Sequence, residues 1–283
     1  MYSAPAGQGH SGVTPLKALS RVARVALFLT ITLPLVFPVH AAQDAADFPD
    51  PVATAEIARQ FAHAKASAAQ QQQLLMVVLG ANWCHDSRDF SDKLEQDAVA
   101  AQLSSRFHVL KVNVGYFETL QALLGLFDVP VLYGTPTVII VDPVTGQVIN
   151  GDTLAYWRSS ETRSVDDTLV YFGNYPAQAR DTHSSQLSPA LIDALARIDR
   201  FESEQGERIN RAFVIVGQLM ATSDIDNPPQ LFIEQWKSLG AMRGRMPDDL
   251  AALRVEAAAQ DTAGANPIVL EFPQYSLFTD END

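Results

Sequence analysis

Apolar residues along the chain fall into two kinds of pattern, which predict a mixed α/β unit followed by helices. Continuous or alternating apolar runs predict strands at 74–80, 107–114 and about 136–142. Apolar residues at helical spacing predict helices over 52–72, 87–103, 117–127 and 164–172. A turn at 142–146 is followed by a short predicted return strand at 146–151, which would form a hairpin with the third strand. The first two strands are expected to be parallel, because a helix connects them.

The C-terminal third of the chain carries only helical patterns. Apolar residues between 191 and 220 predict one long helix, or two helices broken near Gly206. Shorter apolar stripes around 232–236 and 250–253 predict two further helices. Residues 174–283 are therefore predicted to form a helical extension packed on the α/β unit of residues 52–173.

The N-terminus has the pattern of a secretory signal peptide. Three basic residues precede an uncharged apolar run at 25–39, and Val39-His40-Ala41 fits a small-x-small cleavage site. A transmembrane anchor is the alternative, but the run is shorter than the roughly 20 residues that such a helix needs and contains two prolines. Residues 1–41 are predicted to be a cleaved signal and 42–51 a linker, so the mature protein is expected in the periplasm or outside the cell.

Charge and cysteine content narrow the possible partners. The formal net charge of -13 makes nucleic acid and anionic membrane surfaces poor partners, because both repel an acidic protein. Exported proteins commonly carry disulfides, yet this chain has a single cysteine, Cys84, and so cannot form an internal one. The fold must depend on its hydrophobic core, and the lone thiol becomes a candidate for chemistry.

Two motifs carry a resemblance to the thioredoxin superfamily. LLMVVLGANWCHDS at 74–87 resembles the strand-to-helix junction of thioredoxin, and YGTPTVIIVD at 133–142 resembles its later Gly-x-Pro-Thr strand. LKVNV at 110–114, between them, resembles the second strand, so the match covers roughly 74–155. The resemblance implies an α/β thioredoxin-like three-layer sandwich, here with a helical C-terminal extension.

The resemblance also implies roles for the matching residues. Cys84 matches the nucleophilic cysteine, and Trp83 matches the aromatic residue that flanks it. Pro136 matches the cis-proline, and Thr135 precedes it. In this fold Trp83, Thr135 and Pro136 are expected to bind the substrate, with the Thr135 backbone pairing with an extended client peptide beside the sulfur.

Two departures from the family pattern affect turnover. Ser87 stands in the position of the resolving cysteine, and Val78 stands where thioredoxins carry a buried acid. A mixed disulfide at Cys84 must therefore be resolved by an external thiol, such as glutathione, or by another cysteine of the client. The helix N-terminus favours a thiolate, which the Ser87 hydroxyl could support as a hydrogen-bond donor. A protonated His85 would favour that thiolate as well, whereas Asp86 would oppose it, so the sequence leaves their net effect open.

The sequence favours monothiol thiol–disulfide exchange, with Cys84 and Ser87 as the catalytic residues. The expected partners are exported cysteine-containing proteins or low-molecular-weight thiols, and no cofactor is required. The alternative is a redox-inactive binding module that keeps the fold for a partner. A metal site is not favoured, because His85 and Cys84 are adjacent and no other ligand converges on them in the sequence pattern.

Overall fold

The computed structural model describes residues 48–175, 187–224 and 227–277. The predicted signal peptide and most of the predicted linker lie outside these ranges, so the signal stays a prediction. The described strands are β1 Leu74–Gly80, β2 Phe107–Asn113 and β3 Thr137–Val141. The described α-helices are α1 Thr54–Gln70, α2 His85–Glu95, α3 Asp97–Ser104, α4 Leu120–Phe127, α5 Val165–Gly173, α6 Pro189–Thr222 and α7 Gln230–Thr262.

The three strands form a mixed sheet with β1 in the centre. β1 pairs in parallel with β2, and it pairs antiparallel with β3 on its other edge. Every residue of β1 is buried, as expected for a continuous apolar run. The predicted boundaries of β1 are confirmed, and those of β2 are correct to one residue.

Helices cover both faces of this sheet. Because alternate side chains of β1 point to opposite faces, the strand contributes to a separate hydrophobic cluster on each side. Leu75, Val77 and Leu79 pack into one hydrophobic cluster with residues of α1 and α4. Leu74, Met76 and Val78 pack into a second cluster with residues of α2, α3 and α5. The result is the predicted three-layer α/β sandwich.

The two long C-terminal helices share a core with the sheet. Apolar residues of α6 and α7 belong to the same cluster as α1, α4 and one face of β1. The approach is close at Gly217 of α6, where an added Cβ would lie 1.8 Å from the backbone oxygen of Tyr116. The helical extension is thus integral to the packed unit.

The predicted return strand at 146–151 is shorter than expected. The chain turns back antiparallel to β3, with an isolated bridge between Val141 and Val148 and a hydrogen bond from the Ile149 N–H to the Ile140 carbonyl at 2.8 Å. The Asn150 side chain then accepts from the Ile140 N–H at 2.7 Å and donates to the Val138 carbonyl at 2.8 Å. A side-chain amide therefore continues the pairing of β3 where the rest of the return strand was expected, and 3-10 turns follow at Gly151–Thr153 and Tyr156–Thr162.

Other predicted boundaries also differ from the structure. The single helix predicted over 87–103 is divided into α2 and α3 at Gln96, which has an extended backbone with ψ 131°. The α6 helix runs unbroken through Gly206, in keeping with the one-helix alternative. The two helices predicted after it are one helix, α7, which continues through Pro247. Packing of the apolar face of α7 outweighs the roughly 3 kcal/mol that an interior proline costs.

The end of the predicted linker belongs to the packed domain. Phe48 is buried in the cluster with Met76 and Val78. Its backbone N–H donates to Asn82 Oδ1 at 2.7 Å, and its carbonyl accepts from Asn82 Nδ2 at 2.9 Å. Two hydrogen bonds and a buried ring therefore attach this segment beside Trp83 and Cys84.

None of the described helices is both long and apolar enough to cross a membrane.

Replacing Gly217 with alanine tests the close contact between α6 and the sheet unit. The new methyl group has no room against the backbone oxygen of Tyr116, so we expect Gly217→Ala to lower the free energy of unfolding by about 1–3 kcal/mol. Gly240→Ala in α7 is the matched control, because no atom lies within 4 Å of its added Cβ. It should raise that free energy by about 0.5–1 kcal/mol. If urea unfolding showed the same change in the free energy of unfolding for both variants, the close contact between Gly217 and Tyr116 would be contradicted.

Candidate functional site

Cys84 lies at the junction between β1 and α2, as the N-cap residue of α2. Its thiol donates to the carbonyl oxygen of Thr135, with Sγ 3.1 Å from that oxygen, and the residue is only 9% exposed. The sulfur is thus held against the Thr135 carbonyl at the start of α2.

The segment 130–135, here called the 130–135 loop, holds this carbonyl in place and is itself bonded to the C-terminal helices. The Asn210 side chain of α6 accepts from the Leu132 N–H at 3.1 Å and donates to the Pro130 carbonyl at 3.0 Å. Arg243 of α7 donates to the Tyr133 carbonyl at 2.9 Å. The Thr135–Pro136 peptide bond that follows is cis. The thiol contact therefore depends on the C-terminal extension.

Ser87 is hydrogen-bonded to the turn that precedes Cys84. Its buried hydroxyl oxygen accepts a hydrogen bond from the Ala81 N–H at 3.3 Å. Across the described residues, the Cys84 sulfur has a hydrogen bond to Thr135 and none to Ser87. As an acceptor, the Ser87 hydroxyl thus helps to fix the turn between β1 and α2, and its expected support of a thiolate as a donor stays a prediction.

Trp83 is a partly buried aromatic residue beside the thiol. Its indole N–H donates to the Gly115 carbonyl at 2.9 Å. The ring stacks on Tyr116 with centroids 6.2 Å apart, and Phe117 meets it edge-on at 5.5 Å. These contacts fix the orientation of the ring next to Cys84.

The acidic and imidazole groups after Cys84 interact mainly with each other. His85 Nε2 lies 3.2 Å from Asp86 Oδ2 and 3.5 Å from Glu161 Oε2. Asp86 is also an acceptor for the Glu161 N–H at 3.0 Å. A protonated His85 would therefore be paired by two carboxylates, which reduces its influence on the sulfur.

A cavity of about 220 Å³ opens next to the thiol. The α/β unit contributes Trp83, Cys84, Thr135 and Arg158 to its wall, among others. The remaining wall comes from the C-terminal extension, with the side chains of Phe213, Met220, Phe232, Trp236 and Arg243. The helical extension thus encloses the thiol site.

Two arginines give the cavity its positive charge. Arg243 and Arg158 both line it, and Arg158 donates to the Ala155 carbonyl at 2.9 Å. The pKa of Arg243 lies below its ordinary value, chiefly because burial disfavours the charged guanidinium and also because Arg158 repels it. Cys84 and Asp86 act in the opposite direction. Cys84 and Asp86 therefore only partly offset the free-energy cost of burying the Arg243 guanidinium.

The sequence prediction located half of this site. The structure brings Trp83, Cys84 and Thr135 together around the cavity, while Pro136 is buried behind Thr135 and is not part of the wall. The arginines were missed, because they lie far from the motifs in sequence. Arg243 did carry a signal, since it stands seven residues after Trp236 and so on the same helical face. Across the described residues, no cluster of three His, Cys, Asp or Glu side chains is arranged to hold a metal.

Residues 56–143 match a family model described as thioredoxin-like. This match agrees with the α/β sandwich built on the β1–β3 sheet, and the predicted thioredoxin-like fold class is confirmed. Among solved structures, the chain is similar to a disulphide isomerase from Xylella fastidiosa Temecula1, at 25% identity. That match covers 49% of this chain and 96% of the isomerase chain, with a TM-score of 0.36. A search of curated proteins gives no match.

Tyr133, in the 130–135 loop, makes stability sensitive to high pH. Burial raises its pKa above the ordinary value of 10, and the hydrogen-bonded Glu202 adds to the rise. An unfolded tyrosine loses its proton near pH 10, while the folded one keeps it, so the free energy of unfolding should fall as pH rises above 10. One such group contributes a slope of up to about 1.4 kcal/mol per pH unit.

Urea unfolding at several pH values between 9 and 11 measures this slope, and Tyr133→Phe should make it shallower. Tyr171 and Tyr275 also have raised pKa values, so the variant is expected to keep part of the slope. Identical slopes for the variant and the wild-type protein would contradict the burial of the Tyr133 phenol.

Proposed function

We propose that this thioredoxin-like protein is exported and carries out monothiol thiol–disulfide exchange through Cys84. The observation that carries the proposal is the position of the thiol at the N-terminus of α2, facing the Thr135 carbonyl at the wall of a cavity. Helix N-termini favour thiolates, which are the reactive form in exchange. The predicted signal peptide supports export to the periplasm or beyond the cell.

The reaction would proceed in two displacement steps. The Cys84 thiolate attacks one sulfur of a client disulfide, a new S–S bond forms, and the other client sulfur leaves as a thiolate. Because the chain has no second cysteine, an external low-molecular-weight thiolate then attacks the client sulfur of the mixed disulfide. That step transfers the client to the external thiol and releases Cys84 as a thiolate. A second cysteine of the client could act instead, which would make the reaction an isomerisation.

We propose different roles for the two residues that the sequence analysis named as catalytic. Cys84 is the nucleophile, and Ser87 is proposed to be a positioning residue, because its hydroxyl bonds the Ala81 N–H at the base of the turn. Thr135 supplies the carbonyl that holds the thiol and is proposed to be the place where a substrate lies during attack. Trp83 is proposed to form the apolar side of that place.

The burial of Cys84 favours a second candidate function. The residue is only 9% exposed, and its thiol is hydrogen-bonded to the Thr135 carbonyl. A redox-inactive binding module would keep such a thiol for packing and use the cavity or the C-terminal helices for a partner. The two functions differ in whether a mixed disulfide forms at all.

Incubation of the folded protein with a small disulfide and mass analysis separate these functions. Under the exchange proposal, the wild-type protein gains one adduct at Cys84 that persists until an external thiol is added. Ser87→Cys should release the adduct by itself and form an internal disulfide, because the new thiol stands in the position of the resolving cysteine.

Cys84→Ala is the control for reaction at the proposed atom, and it should gain no adduct. A wild-type protein that stays unmodified while folded, but reacts once denatured, would contradict exchange and favour the binding module. An adduct on Ser87→Cys that persists would contradict the proposed geometry of the resolving position.

A further inference from the structure

We infer that the cavity beside Cys84 recognises a carboxylate, so that the small-molecule partner of this thiol is an acidic low-molecular-weight thiol or its disulfide. Arg158 and Arg243 would hold the carboxylate while the partner's sulfur reaches Cys84. The inference rests on the proposed exchange function and names the substrate class of that site.

The charges around the cavity motivate this inference. Arg158 and Arg243 line it, and across the described residues no ion pair joins either guanidinium to a carboxylate. Asp86 is the acidic residue of the wall, and its oxygens already interact with His85 and the Glu161 N–H. An uncompensated pair of arginines is notable in a chain with a net charge of -13. Buried charges of this kind are costly unless a ligand pairs with them.

Both guanidinium groups are held in place before any ligand arrives. Arg243 donates to the Tyr133 carbonyl at 2.9 Å, and its guanidinium lies 5.3 Å from the centre of the Trp236 ring. Its Nε is buried without a hydrogen-bond partner. Arg158 is held by the Ala155 carbonyl at 2.9 Å. Arginines fixed in this way match the two oxygens of a carboxylate with little loss of side-chain freedom.

The position of Arg243 places the charge beside the reacting sulfur. Arg243 bonds Tyr133, and the Cys84 thiol bonds Thr135, two residues further along the same loop. An added Cβ at Gly134, between them, would lie 2.7 Å from the Arg243 Nη1 atom. One small molecule can therefore reach the guanidinium with its carboxylate and the thiol with its sulfur.

The size of the cavity favours a small molecule over an extended peptide. Its volume of about 220 Å³ is below the range of about 300–1,000 Å³ that drug-sized ligands occupy. Residues of α6 and α7, including Phe213 and Trp236, form one side of it, so the groove beside Thr135 is not an open sheet edge.

Formation of the mixed disulfide makes the net charge of the cavity wall more positive than in the thiolate state, which favours an anionic partner. With Cys84 as a thiolate, the charges of Arg158, Arg243, Asp86 and the sulfur cancel. The mixed disulfide is neutral at sulfur, so the wall then carries one excess positive charge. A carboxylate on the bound partner neutralises that charge, whereas an uncharged or cationic partner leaves it buried.

Two alkylating agents of nearly equal size and different charge test the inference on the folded full-length protein. Iodoacetate carries a carboxylate and iodoacetamide does not. The measured quantity is the rate of Cys84 alkylation by iodoacetate divided by the rate with iodoacetamide. This ratio reports charge recognition, because a change in the nucleophilicity of the thiol affects both rates alike. The wild-type ratio should exceed that of a free cysteine peptide by about three- to tenfold at low salt, and it should fall at high salt. Arg243→Gln should reduce it towards the peptide value.

Arg245→Gln is the matched control, because Arg245 lies on the same helix but is exposed and pairs with Asp249. It should leave the ratio unchanged. If Arg243→Gln fails to fold, Arg158→Gln decides, with the same expected loss. A wild-type ratio equal to that of the peptide, or no loss in either cavity variant, would overturn the inference while leaving the exchange function intact. A folded protein whose thiol reacts with neither reagent would instead overturn the exchange function and, with it, the inference.

Discussion

The hydrogen bonds of Asn210 to the 130–135 loop are the interactions on which the rest of the site depends. One buried amide accepts from the Leu132 N–H and donates to the Pro130 carbonyl, so α6 satisfies these two backbone groups of the loop. The loop in turn supplies the carbonyls for Arg243 and for the Cys84 thiol. Together with the shared core, this attachment fixes the position of the helical extension relative to the α/β unit at the sulfur.

This attachment changes what the thiol can meet. In a thioredoxin-like site the backbone beside the proline is expected to bind the client. Here α6 and α7 form the opposite wall of the cavity. The C-terminal extension thereby adds apolar side chains and a buried guanidinium to a site whose sulfur comes from the α/β unit. The proposed preference for small acidic partners follows from that combination of enclosure and charge, and the loss of the resolving cysteine is consistent with resolution by a small external thiol.

Local patterns in the sequence predicted the parts of the fold that local physics determines. The apolar run of β1 and the Trp-Cys and Thr-Pro motifs identified the sheet, the thiol and its neighbour Thr135. The remainder depends on contacts that no local pattern encodes. The Asn150 side chain continues the pairing of β3 beyond a short return segment, Ser87 bonds a backbone N–H, and Arg243 reaches Tyr133 from 110 residues away. Side-chain amides and hydroxyls choose their partners in three dimensions, so composition and spacing do not reveal them.

Hydrogen exchange at the 130–135 loop tests most directly whether α6 holds it in place. In the wild-type protein, the Leu132 amide should exchange slowly because it donates to Asn210. In Asn210→Ala, we expect fast exchange in this loop, while amides in β1 keep their protection and show that the fold is intact. Unchanged protection of the Leu132 amide in the variant would contradict the account that the C-terminal extension positions the thiol site.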